Sequence, residues 1–184
     1  MKQEKLNEIL EQHSLWLASE RAEGKPANLM RANLEGKNLE GKNLEFANLR
    51  GARLQFSSLA GANLRCAKLA GANLWVVSLE KANLEDARLE NANLSLANFG
   101  GANLKYASLE NANLEQASLD GADLRGGTLS GANLKNASLT RANLEGTNLA
   151  NTNLENTNLE GANFNWVDLR WADFGAANIT EAKQ

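Results

Sequence analysis

Leucines recur at every fifth residue along most of this chain, separated by small and polar residues. From Ala27 the sequence reads A-N-L-x-x, and counting by fives from Leu29 to Ile179 gives 31 central positions with no insertion. Leucine fills 27 of them; the others are Phe99, Phe164, Phe174 and Ile179. Two residues before each centre the side chain is small, mostly alanine, with Lys37, Lys42, Val77 and Val167 as exceptions. A step of five turns an α-helix by about 140°, which scatters the leucines around every side. A long flat strand needs period two and fails as well. A three-residue strand followed by a corner satisfies the pattern. With the centre as i, residues i−2 and i point inward, i−1 points outward, and i+1 and i+2 turn the chain. Repeated corners wind a coil, and stacked coils satisfy the backbone through parallel ladders.

These repeats resemble the pentapeptide repeat family, whose motif is A-(D/N)-L-x-x, over residues 27 to about 181. The resemblance implies an all-β fold, a right-handed quadrilateral parallel β-helix with four repeats per coil. For 31 repeats that is about 7.75 coils, about 37 Å long at a strand spacing of ~4.8 Å. The expected organisation is a capping helix and linker over 1–26, the repeat solenoid over 27–181, and a tail over 182–184.

Numbering the four faces from the repeat centred on Leu29 reveals a second period. At i+2, faces one and three carry Gly or Asn in 11 of 16 repeats, and faces two and four in only 5 of 15. Faces two and four instead show Phe46, Phe56, Val76, Leu96, Tyr106 and Trp166. A corner with φ > 0 favours Gly or Asn. The expectation is therefore type II corners after faces one and three, and a different turn after faces two and four.

Before the repeats, Leu6, Ile9, Leu10, His13 and Leu17 recur at helical spacing, with Gly24 and Pro26 to stop the helix. This segment is suited to cover the first coil, because a stacked ladder leaves an unpaired edge. Lys37 and Lys42 sit at inward positions of that coil, where buried ammonium groups are costly. Either they snorkel out of the open end, or the first coil is irregular. Thr147, Thr152 and Thr157 replace three inward alanines, and their hydroxyls are expected to bond to backbone or to one another. The final coil holds Phe164, Leu169, Phe174 and Ile179, with Trp166 and Trp171 at neighbouring corners. Five polar or small residues follow and cannot shield it. Two outcomes fit: an end-to-end homodimer through these six residues, or self-capping by the two tryptophans.

Composition narrows the function. A net charge of −3 does not by itself imply a nucleic-acid partner. The single cysteine, Cys66, rules out an intramolecular disulfide and fits a reducing compartment. No apolar run of signal-peptide or membrane-spanning length occurs, so a cytoplasmic protein is expected. No catalytic constellation, metal set or cofactor motif is present: His13 is the only histidine and lies on the apolar stripe of the helix. Glu90 and Glu110 stack on one face, but a solvated face explains them. On face four the i+1 residues Glu45, Arg65, Glu85, Lys105, Arg125 and Glu145 mix signs along the stack.

The feature that points outward is a column on face two: Phe56, Val76 and Leu96 at consecutive corners, with Trp75 beside them. Exposed apolar patches mark partner sites; the bland alternative is that these side chains pack on one another. The reading is thus a non-catalytic interaction or scaffold solenoid with an unidentified protein partner. The rival comes from the resemblance, since some family members mimic duplex DNA and inhibit DNA gyrase. Those members are strongly acidic, whereas this solenoid has 15 basic and 17 acidic residues from Ala27 onward.

Overall fold

The computed structural model describes residues 1–183; Gln184, at the end of the expected tail, lies outside the described residues. Parallel bridges join each residue n to residue n+20, from Asn28–Asn48 to Asn163–Lys183. Four repeats therefore complete one coil, and the molecule is a parallel β-helix. Only the outward i−1 residue of each expected three-residue strand forms a bridge. Two hydrogen bonds flank each bridge: at Asn103–Asp123 the Leu104 N–H donates to the Asp123 carbonyl at 2.7 Å, and the Asp123 N–H donates to the Ala102 carbonyl at 3.0 Å. The ladder runs to Lys183, two residues past the expected end of the repeats.

The inward positions behave as their sizes require. Every central leucine from Leu29 to Leu159 is at most 1 % exposed, and the inward alanines between them are buried too, except Ala32 in the first coil, which is half-buried. Burying a leucine contributes roughly 1.5–3 kcal/mol, so the central row is the main source of stability. Thr147, Thr152 and Thr157 are buried, and each hydroxyl donates to a carbonyl of the coil below, those of Leu124, Leu129 and Leu134, at 2.9 Å. A buried hydroxyl left without a partner would be costly. Ser57 meets the same requirement within its own turn, through the Leu54 carbonyl.

The corners correct the sequence expectation. They do not alternate. The residue at i+2 has φ between +54° and +69° on all four faces, whether it is Gly61, Val76 or Trp166. The following N–H closes each turn, as Ala62 does on the Leu59 carbonyl at 3.0 Å. Positive φ at the third residue alone is the type II pattern. Ladder spacing and a right-angled bend at every fifth residue demand the same geometry at each corner, so large side chains are held in it as well. One corner departs: between Phe174 and Ala177, Gly175 takes φ +42° in place of Ala176.

Helix α1 spans Gln3–Ala18, shorter than the stretch up to Gly24. It ends where the Glu20 N–H reaches the Leu17 carbonyl and the Arg21 N–H reaches that of Trp16, with Glu20 at φ +53°, the paired bonds of a Schellman motif. Gly24 has a different role. At φ +72° it lies directly against the α1 backbone, and a β-carbon there would collide with the Gln12 carbonyl. α1 rests on the first coil: Leu6 is buried in the core, and Ile9 and Leu10 pack against it. Lys42 is exposed and Lys37 half-buried, so both inward lysines of that coil reach water.

Candidate interaction surfaces

The i−1 asparagines shape the outside of the prism. Each Oδ1 accepts the backbone N–H two residues on, as Asn83 does from Glu85 at 3.2 Å, which fixes the approach to the corner. The amide NH2 then donates to the asparagine one coil below. On face four this makes a continuous column, Asn43–Asn63–Asn83–Asn103, with bonds of 3.0–3.3 Å. Asp123 interrupts it because a carboxylate has no hydrogen to donate. Instead it takes a two-pronged bond from Arg125, at 2.9 and 2.8 Å, and an ion pair from Lys105 at 3.3 Å. Burial opposes ionisation of Asp123, but these cations outweigh it and hold its carboxyl below the usual range. Lower on the same face, Arg65 pairs with Glu45 at 2.9 Å and approaches Glu85 at 3.9 Å.

Among the described residues no group of His, Cys, Asp and Glu is placed to hold a metal ion. Glu90 is bound by Arg88 at 3.0 Å. Cys66 is half-buried, and that burial pushes its thiol up against the opposing pull of Arg65, leaving a protonated sulfur at neutral pH.

The structure brings the face-two residues together at one corner. The rings of Phe56 and Trp75 meet edge to face, centroids 4.9 Å apart and planes at 69°, a favoured aromatic geometry. Yet Phe56 remains 53 % exposed, Leu96 45 %, and Trp75 and Val76 37 % each. Mutual packing accounts for part of the column and leaves a continuous apolar surface in water.

The last coil is open. Phe164 is buried, Leu169 and Phe174 are half-buried, and Ile179 is 57 % exposed. With Ala182 they line a hollow of about 270 Å3. Self-capping by the aromatic rim does not occur: Trp166 and Trp171 are 88 % and 77 % exposed. Their positions at positive-φ corners throw the indoles outward from the prism. Among the described residues, the N–H groups of Leu169, Trp171, Phe174 and Ile179 and the carbonyls of Val167, Ala172 and Ala177 have no backbone partner.

A cluster at the other end was not apparent from the sequence. The Arg21 guanidinium sits 5.3 Å from the Trp16 ring and 4.8 Å from the Phe46 ring, a doubled cation–π contact. Arg21 precedes the repeats, so no periodicity placed it beside Phe46.

The repeats, with their coil of four and asparagine columns, also match a known family profile. That of the pentapeptide repeats matches residues 27–65, 57–95, 97–136 and 137–175. The chain belongs to the pentapeptide repeat family. The right-handed β-helix is the fold of its relatives. Among solved pentapeptide repeat proteins, HetL of the cyanobacterium Nostoc sp. strain PCC 7120, involved in heterocyst differentiation regulation, is 28 % identical. The match covers 92 % of this chain and 94 % of HetL, with a TM-score of 0.48. A pentapeptide repeat protein of the Arabidopsis thaliana thylakoid lumen is 33 % identical over 56 % of this chain and 68 % of its own, with a TM-score of 0.49. QnrB1, a plasmid-mediated fluoroquinolone resistance protein, is 17 % identical over 85 % of this chain and 81 % of its own, with a TM-score of 0.44. Comparison with the curated proteins finds no relative of this chain. No helix among the described residues is long and apolar enough to cross a membrane.

Proposed function

We propose that this pentapeptide repeat protein is a non-catalytic scaffold that holds a protein partner against the Phe56–Trp75–Val76–Leu96 column. The observation that carries this reading is the persistent exposure of four large apolar side chains in consecutive coils. Surfaces of this kind rarely stay uncovered in a working protein. α1 serves as the cap of the first coil, and the last coil pairs end to end with that of a second copy. The open hollow and the unpaired ladder edge both favour such a twofold contact. A single free cysteine suits a reducing, cytoplasmic setting.

Mimicry of DNA, the activity of some relatives, is the rival. The charges weigh against it. A phosphate-like surface needs free carboxylates in register, whereas Glu45 and Asp123 on face four are neutralised by Arg65, Arg125 and Lys105. The test is capture of the native partner by wild type and by the double variant Trp75→Glu with Val76→Lys. Circular dichroism is expected to show an unchanged fold, since surface changes away from core and caps cost little, and partner capture is expected to vanish. Equal capture would remove the column from consideration. Inhibition of gyrase supercoiling by the wild type would favour the rival instead.

A further inference from the structure

The contact between α1 and the first coil turns on one histidine. His13 is completely buried and is the only histidine in the chain. Its Nδ1 accepts the backbone N–H of Ala27 at 3.1 Å. Ala27 opens the first repeat. In later repeats the equivalent N–H is bound by the carbonyl three residues earlier, as Ala32 is by Leu29 at 3.0 Å. At Ala27 the imidazole takes the place of that carbonyl. An accepting Nδ1 fixes the neutral tautomer with its hydrogen on Nε2. Nε2 is buried without a hydrogen-bond partner. The ring stacks on Trp16, centroids 5.7 Å apart. Trp16 in turn meets Phe46 edge-on at 6.4 Å.

We propose that His13 is an acid-released latch: protonation of its ring detaches α1 from the first coil and uncovers the ladder edge of that coil. A protonated imidazole carries hydrogens on both nitrogens and has no acceptor left. The Ala27 N–H would then face another donor inside a dry contact, with a charge buried beside it. The charged groups around the ring do not cancel this. From the first coil Glu45 faces it, but its carboxylate is engaged by Arg65 at 2.9 Å. Beyond Trp16 lies the cationic Arg21. Lys5, Glu8 and Lys25 line a groove on another flank of α1 with Ile9, Gln12 and Pro26. Burial is the dominant influence and holds His13 below its ordinary value, despite the opposing pull of the Glu45 carbonyl and carboxylate. Because the docked value is depressed, docking is undiminished above about pH 6.5 and weakens as pH falls through the docked value. Release leaves a ready edge. The carbonyls of Asn28, Asn38 and Asn43 have no backbone donor among the described residues, and the Asn33 carbonyl loses the amine of Met1, now 2.7 Å away.

Because the chain has one histidine, its proton NMR signal reports this ring alone. The experiment follows that signal and the exchange of backbone amides from pH 7.5 to 4.5. The expected result is a histidine midpoint below 6.5. Exchange at Ala27 should accelerate at least about tenfold over the same range, once the intrinsic pH dependence is divided out, while Leu104 stays protected. His13→Asn supplies an acceptor near the Nδ1 position that does not titrate, so Ala27 should stay protected down to pH 4.5. A midpoint at or above 6.5, an Ala27 amide still protected after His13 has titrated, or His13→Asn opening at the wild-type pH would each overturn the latch. If His13→Asn fails to dock at any pH, the wild-type coincidence of titration and Ala27 exchange decides alone.

Discussion

At the scale of the residue, the corners hold the conformational tension of the molecule. Non-glycine residues in the left-handed region cost roughly 1–2 kcal/mol each, and Val76, Leu96, Tyr106 and Trp166 all occupy it. Gly121 provides a clean test. It lies at φ +64°, and a β-carbon there would meet nothing within 4 Å, so any cost of substitution is conformational. Gly121→Val should lower stability by about 1–2 kcal/mol, measured by urea denaturation. The reverse change, Val76→Gly, should raise it by less, because the valine also covers apolar surface. Equal stabilities for Gly121→Val and the wild type would mean that the corner is not held at positive φ.

At the scale of the element, each repeat is a fit between one large and one small inward side chain. Leu104 and Ala102 are both buried in the middle of the stack. Leu104→Ala should destabilise by roughly 2–5 kcal/mol through lost burial and a cavity. Ala102→Leu should cost about 1–3 kcal/mol by overpacking; an unchanged melting temperature would contradict so narrow an interior. The outward asparagines are the third component of the repeat, joining coils by side-chain columns. Asp123 exchanges that bond for ion pairs and thereby becomes sensitive to acid. Its folded value is depressed, so its contribution is present above about pH 3.9 and is lost as pH falls through the folded value. Asp123→Asn should flatten the stability profile below pH 4; a profile identical to that of the wild type would show that the Arg125 and Lys105 pairs contribute nothing there.

At the scale of the whole molecule, the two ends differ. One carries α1, locked through His13, Trp16 and Arg21. The other presents a hydrophobic hollow and unpaired backbone groups. Sedimentation of the wild type should give a dimer at micromolar concentration, and Phe174→Glu should give a monomer, since a carboxylate in that hollow cannot be desolvated cheaply. A wild type that stays monomeric at high micromolar concentration would exclude the end-to-end contact. A dimer indifferent to the Phe174 change would place the interface elsewhere, with the Phe56–Leu96 column as the next surface to alter.

The sequence alone determined the repeat: a five-residue period over 31 uninterrupted copies translates directly into strand, corner and inward row. The threonine hydroxyls and the exposed face-two column were legible for the same reason: periodicity assigns each position a direction. Closure at four repeats per coil was implied by the family resemblance and is decided by the ladder that joins each residue n to n+20. Periodicity assigns no dihedral angle, so the preference of faces one and three for glycine suggested two kinds of corner. The tertiary ladder enforces one kind, because all four faces must keep the same spacing from coil to coil. Outside the repeats the sequence offered a helix with a histidine on its apolar stripe. Only the docked structure set that ring against the Ala27 N–H and closed Trp16, Arg21 and Phe46 together, because those contacts join segments that share no period.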